Sequence, residues 1–130
     1  MSTHQPAPNA ENDGRFLRIE SMDKVLVVSP LFTFAQFSEP DLLNEWNQLK
    51  SYLEQSPVTQ VVVDLAEIPY FGSTVLGWMV QIWKKMRERG GTLTMCNVSP
   101  IGREILAAAK FDELWNVHDT RAEALKMLPS

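Results

Sequence analysis

The stretch Val61-Val62-Val63-Asp64-Leu65-Ala66-Glu67-Ile68-Pro69-Tyr70-Phe71-Gly72-Ser73-Thr74-Val75-Leu76-Gly77 changes its period part-way along, and that change decides the fold. Val61, Val62 and Val63 form an unbroken β-branched run, the pattern of a strand covered on both faces, and predict a strand over residues 60–65. Beyond the connector Ile68-Pro69-Tyr70-Phe71, the residues Val75, Leu76, Met79, Val80, Ile82, Trp83 and Met86 recur at helical spacing. The chain therefore turns from strand to helix at Gly72-Ser73-Thr74. Two hydroxyls stand where a helix starts, and the first turn of a helix carries unpaired N–H groups and the positive end of its dipole. Such a place caps on a hydroxyl and also accepts a phosphate, so both readings of Ser73 and Thr74 are open.

Downstream, Gly90-Gly91 ends the helix and residues 92–97 read as a second strand. Strand, helix, strand at this spacing is a βαβ unit with parallel strands. Ser99-Pro100 supplies an N-cap and a first-turn proline for a short helix on Ile101, Ile105, Leu106 and Ala109. Residues 114–118 suit a last edge strand, and Thr120 with Glu123 forms a capping box for a final helix that buries Ala124, Leu125 and Leu128.

Upstream, a helix over residues 40–54 carries the stripe Leu42, Leu43, Trp46, Leu49 and Leu53, with Ser38 and Asp41 as its capping pair. Ser56-Pro57 stops it. Residues 29–38 are apolar without period and read as a loop packed on the surface. Its Phe32, Phe34 and Phe37 are either core plugs or a partner patch. Two strands, one with Phe16, Leu17 and Ile19 and one with Val25 to Val28, are joined by a hairpin turn at residues 21–24. Residues 1–14 hold no large apolar group after Met1 and are expected to be a disordered tail. The expectation is one α/β domain over residues 15–130. It has a mixed sheet of four to five strands with about four helices, in the order β-β-α-β-α-β-α-β-α.

Composition narrows the function. A length of 130 residues suits one core, and a net charge of −4 argues against a nucleic-acid partner, because affinity for phosphate backbones comes from Lys and Arg. Lys84, Lys85, Arg87 and Arg89 lie at a helix C-terminus, where cations complement the dipole. Cys96 excludes an intrachain disulfide and reads as a buried, inert thiol. With no span of transmembrane length and no signal-peptide core, a soluble cytoplasmic chain without direct membrane insertion is expected. His4 and His118 have no ligand spacing around them, and Gly72 to Gly77 lacks the lysine of a phosphate-binding loop, so no cofactor, metal or catalysis is expected. Asp64 and Glu67 are read as solvent-facing strand-end groups or caps.

At about 100° per residue, Leu76, Met79, Val80 and Trp83 share one side of the key helix, assigned to the core. Thr74, Trp78, Gln81, Ile82 and Lys85 share the other. Aromatic and apolar residues beside a hydroxyl make a docking face, unless another helix or the tail covers them.

With that order in place, residues 61–77 and Gly90-Gly91-Thr92-Leu93-Thr94-Met95-Cys96-Asn97-Val98-Ser99-Pro100 resemble a STAS domain, the module of bacterial anti-sigma factor antagonists and of sulfate-transporter tails. The likeness covers nearly everything after the tail. It is sharpest at the strand-loop-helix junction, where the family usually reads Asp-Ser-Ser/Thr-Gly-Leu-Gly; Lys110-Phe111 stands at the family's Gly-Leu. The resemblance implies that the second hydroxyl, Thr74, beside Ser73, is phosphorylated by a serine/threonine kinase that is also an anti-sigma factor. The unphosphorylated form would bind that partner and free a sigma factor. Gly72, Ser73, Thr74, Trp78, Gln81, Ile82 and Lys85 would form the binding surface, with other STAS proteins as further partners. The chain departs from the family at Gly72 for the motif aspartate, at Val75 for glycine, and at Pro30-Leu31-Phe32-Thr33-Phe34, where an acidic residue is usual. A phosphorylation-independent scaffold or transport-accessory subunit is the alternative.

Overall fold

The computed structural model describes residues 11–13, 15–32 and 38–128. Its elements are β1 (Glu11–Asp13), β2 (Leu17–Met22), β3 (Val25–Pro30), α1 (Pro40–Gln55), β4 (Gln60–Asp64), α2 (Ser73–Glu88), β5 (Thr92–Cys96), α3 (Pro100–Ala108), β6 (Asn116–His118) and α4 (Arg121–Lys126). A 3₁₀ turn, Phe111–Glu113, lies between α3 and β6. The strands form one six-stranded sheet in sequential order. β1, β2 and β3 are antiparallel, and β3 to β6 are parallel. The mixed sheet, the four α-helices and the order from β2 onward match the sequence pattern.

The extra strand is β1, inside the stretch expected to be a disordered tail. Glu11, Asn12 and Asp13 pair with Glu20, Ile19 and Arg18. An edge strand is held by its backbone ladder, so it forms without the apolar side chains that core burial requires. Residues 1–10, and with them most of that expectation, lie outside the described residues, as do Phe34 and Phe37 of the apolar loop.

The Val run forms a strand because both faces of β4 are covered. Val61 and Val63 pack with Leu26, Val28, Leu93 and Met95 and with buried residues of α1, α2 and α3. Val62 points the other way, with Val27 and Cys96, against Ala124 of α4. All five residues of β4 are buried.

On α1 the buried stripe is Leu42, Trp46, Leu49 and Leu53. Leu43 lies one residue off that stripe and is 46% exposed. The N-cap is Glu39 and not Ser38, and it makes no side-chain cap, because Pro40 takes the first helical turn and sets the boundary. Two polar devices tie α1 to its neighbours. The Glu45 carboxylate accepts the backbone N–H groups of Arg15, Phe16 and Leu17 at 2.9–3.0 Å, fixing the entry to β2. The Arg89 guanidinium donates to the carbonyls of Leu53, Glu54, Ser56 and Val58, closing the C-terminus of α1, whose last turn has no basic residue.

On α3, Ser99 caps through Gly102 N–H at 2.9 Å, as its sequence indicates. The packed seam is Gly102 and Leu106; Ile101 is 53% exposed and Ala109 is exposed, in contrast to the expected stripe. In the last capping box Thr120 accepts Glu123 N–H, while the Glu123 carboxylate accepts Asp119 N–H, one residue earlier than the usual partner. Among the described residues no helix is long and apolar enough to cross a membrane.

α2 ends in a Schellman motif, with Gly91 N–H bonded to Met86 O and Gly90 N–H to Arg87 O, and Gly90 at φ 77°. The next residue is pressed onto the turn before β4: a Cβ on Gly91 would lie 1.5 Å from Thr59 O. Gly91→Ala is therefore expected to destabilise the fold by about 2–3 kcal/mol or more. Gly77→Ala, in the exposed interior of α2 where a Cβ meets no atom within 4 Å, is expected to stabilise it by about 1 kcal/mol. Urea midpoints of the two variants should move in opposite directions; a shared direction would contradict this packing.

Candidate functional site

The connector from β4 to α2, residues 65–72, is pinned along its length. Leu65 N–H donates to Cys96 O at 3.1 Å, Ala66 N–H to the Asp64 carboxylate at 3.0 Å, and Ile68 N–H to Leu65 O at 3.3 Å. The Ser99 hydroxyl donates to Pro69 O, which ties the connector to the start of α3. Leu65, Ile68 and Phe71 are buried beneath it.

This pinning delivers Gly72 as the N-cap of α2 at φ −113° and ψ −160°, with no side-chain cap. Ser73 and Thr74 are the first two helical residues. Both are exposed, and among the described residues neither hydroxyl has a hydrogen-bond partner. The capping reading of these hydroxyls is thereby removed: a cap must sit one residue earlier, where this chain has glycine. The first bond of the helix, Leu76 N–H to Gly72 O at 3.1 Å, leaves the N–H groups of residues 73–75 free of helical partners.

The docking face drawn from the sequence is corrected. The seam of α2 is Val75, Met79, Ile82 and Met86, at spacings of four, three and four, which runs between the two sides assigned from the pattern. Ile82, 5% exposed, belongs to the core. Leu76, Val80 and Trp83 are half-buried on one flank, with Trp83 edge-on to Trp115 at 6.5 Å. Trp78 is half-buried on the other flank, stacked on Trp46 of α1 at 4.7 Å and 11°, with Phe32 edge-on at 5.9 Å. Another helix covers this tryptophan, and Phe32 is a core plug.

What the structure does bring together is a groove of about 100 Å³ between α1 and α2, lined by Trp46, Lys50, Leu53, Glu54, Gln81, Ile82 and Lys85. Three of the sequence-derived binding residues, Gln81, Ile82 and Lys85, thus share one depression, bordered by the Trp46–Trp78 stack. Thr74 precedes Gln81 by about 10 Å along the helix axis. Lys85 bonds Glu54 across the groove at 2.8 Å, which lowers the Glu54 carboxyl and raises the Lys85 ammonium relative to their ordinary pKa values. Lys50 sits over the Trp46 ring at 5.6 Å. The α1 residues of this groove escaped the sequence reading because nothing in the α1 stripe says which helix it meets.

Asp64 accepts the connector's Ala66 N–H and otherwise bonds on the α4 side of the sheet. It is 5% exposed and accepts from Arg121 at 2.9 Å and from Asn97 at 3.0 Å, so it is an internal ion-pair partner and not a solvent-facing strand end. Glu67 is exposed, as expected.

The model of the STAS domain family matches residues 31–124. The chain belongs to the STAS family. An anti-sigma-factor antagonist STAS protein from Planctomyces limnophilus is similar in structure at 28% identity, with a TM-score of 0.70 over 85% of this chain and 95% of that one. The anti-sigma factor antagonist SpoIIAA in its unphosphorylated form matches with a TM-score of 0.70 at 14% identity, over 85% of this chain and 93% of that one. SpoIIAA of Bacillus in the phosphorylated form matches at 0.64 and 15%, over 85% and 96%. At such identities these last two speak to the fold. No curated protein matches this sequence.

Two substitutions test this geometry. An added Cβ at Gly72 meets nothing within 4 Å and the backbone there is extended, so Gly72→Asp supplies the missing cap. It is expected to raise stability by about 0.5–1 kcal/mol in urea titration, and a loss of stability would contradict the cap geometry. Burial pushes the Asp64 carboxyl up, but hydrogen bonds from Asn97, Arg121 and Ala66 outweigh it and hold the group below the usual range. Its contribution is full above the unfolded value of about 3.9 and is lost as pH falls through the folded one. The slope of stability against pH below about 4 should therefore flatten in Asp64→Asn. An unchanged slope would contradict the role of the ion pair.

Proposed function

We propose that this STAS domain is an anti-sigma factor antagonist in a partner-switching pathway. In this reading it binds an anti-sigma factor that is also a serine/threonine kinase, and phosphorylation of Thr74 releases it. The observation that carries the reading is the presentation of Ser73 and Thr74: exposed, without hydrogen-bond partners among the described residues, on the first turn of a sixteen-residue helix whose cap is glycine. The likeness to SpoIIAA, whose two structures are of an unphosphorylated and a phosphorylated form, supports it.

The chemistry is a local change of charge. The Thr74 hydroxyl takes the γ-phosphoryl group of ATP held by the partner, with ADP as leaving group, and gains close to two negative charges. The free N–H groups of the first turn and the helix dipole favour that charge in the free protein. Against a partner surface seated on Thr74, Gln81 and Lys85 the same charge needs desolvation, so the phosphorylated form binds less well. The module acts by binding, in the cytoplasm, and other STAS proteins are further partners.

Gly72 favours a second reading, a phosphorylation-independent scaffold or transport-accessory subunit, because the carboxylate usual beside the acceptor is missing.

The test is mass-spectrometric mapping of the peptide carrying Ser73 and Thr74 from cells in growth and in stress, with titration of the purified cognate kinase. Phosphate on Thr74 that varies with condition is expected. Thr74→Glu should weaken binding at least about tenfold, about 1.4 kcal/mol, with an unchanged circular dichroism spectrum. Absence of phosphate with the peptide well covered, and equal binding by Thr74→Glu, would turn the assignment to the scaffold.

A further inference from the structure

The two faces of the sheet are closed by unequal means. Three helices close one face, whereas α4, with Leu128 beyond it, closes the other among the described residues. α4 has six residues, too few to be stable by themselves. Its apolar seal is Ala124, Leu125 and Leu128 over Val27, Val62 and Cys96.

The remaining attachment is polar: Glu123 of α4 lies 3.4 Å from His118 Nδ1 of β6 and accepts Asp119 N–H, which tethers α4 to the chain just before it, and the contacts to the other strands run through Arg121. Its Nε donates to Asp64 of β4 at 2.9 Å, Nη1 to Glu20 of β2 at 2.6 Å, and Nη2 to the Ser29 hydroxyl of β3 at 3.1 Å. One guanidinium thus holds three strands. Arg121 is the first residue of α4, where the helix dipole disfavours a cation, so its position serves the sheet contact and not the helix.

A charge cluster and a small apolar seal open differently from a core. On release the carboxylates and the guanidinium regain their hydration, which offsets much of the lost attraction, and the apolar area exposed is that of the smaller cluster alone, with the larger core on the other face left closed. The chain on the near side stays held: Asp119 is paired with Arg103 of α3 at 3.0 Å, and β6 is in the sheet. Thr120, extended at φ −132° and ψ 160°, separates those anchors from α4.

We propose that α4 is a latched cover, released from the sheet as a unit about Thr120 when the Arg121 contacts break, while the sheet and α1 to α3 stay folded. This rests on geometry apart from the Thr74 reading and holds whichever partner that reading has. The chain carries its own reporter. Cys96, its one cysteine, is fully buried beneath α4, and burial pushes its thiol up to about 12, so a thiol reagent reacts only after opening.

The experiment is the rate of Cys96 modification by an aromatic disulfide reagent on the full chain, at fixed pH, from zero urea to beyond the unfolding midpoint. At low urea the rate should depend far less on urea than global unfolding does, and Arg121→Met should raise it at least about tenfold. Met79→Ala, in the core on the opposite face, should lower the midpoint and leave the low-urea rate within about twofold. Modification that tracks global unfolding with the same urea slope, or equal acceleration by Met79→Ala, would overturn the proposal. If Arg121→Met does not fold, amide exchange on the unaltered chain decides: Ala124 and Met127 should exchange at least about tenfold faster than Val62, and equal protection overturns it.

Discussion

Everything in this molecule answers to the burial of β4. A strand with all five residues out of water has to find its backbone partners in neighbouring strands and its side-chain partners on both faces. The first demand places β3 and β5 on either side of it in parallel register. Parallel neighbours cannot be joined by tight turns, so each crossover carries a helix. Since the crossovers keep one hand, α1, α2 and α3 fall on one face and leave the other to the chain beyond β6. That chain supplies only α4 among the described residues. The imbalance between the faces is thus a consequence of topology, and the charge cluster around Arg121 is how this chain holds the thinner side.

The same strand fixes the end of the sheet that carries Ser73 and Thr74. Parallel strands put their C-terminal ends along one edge of the sheet, so the loops leaving β4 and β5 lie side by side. That adjacency lets Ser99, the cap of α3, donate to Pro69 in the connector, and lets Leu65 bond Cys96 O. A loop held in this way loses little entropy on binding, and it presents the first turn of α2 in one orientation. The exposed hydroxyls of Ser73 and Thr74 are therefore positioned by the fold, although neither takes part in holding it. A residue free of structural duty can be modified without cost to the domain, which a switch requires.

The sequence carried much of this because its strongest signals were local. The Val run, the period change at Gly72, the Schellman glycines and the Ser99-Pro100 cap each depend on near neighbours in the chain, and each formed as its pattern indicates. The misreadings lie where the answer depends on a distant partner. Ile82 reads as a surface residue when the helix is divided into two sides, whereas the buried seam of α2 runs between them. Trp78 reads as exposed until Trp46, thirty-two positions away in the chain, is seen to stack on it. Asp64 reads as a strand-end group, since its cation, Arg121, is fifty-seven residues on. β1 escaped for another reason: backbone pairing at a sheet edge needs no apolar pattern to announce it.

Asp64 joins the two ends of this description. One of its oxygens accepts Ala66 N–H at the start of the connector and Asn97 Nδ2; the other accepts Arg121. The turn that leads to Ser73 and the ion pair that holds α4 thus meet in one carboxylate, although the two features lie on opposite faces of the sheet. A carboxylate with partners on both oxygens is fixed in orientation, and loss of one set frees it to rotate or to draw in water. The connector and α4 share this side chain because β4, buried on both faces, is the element from which both are held.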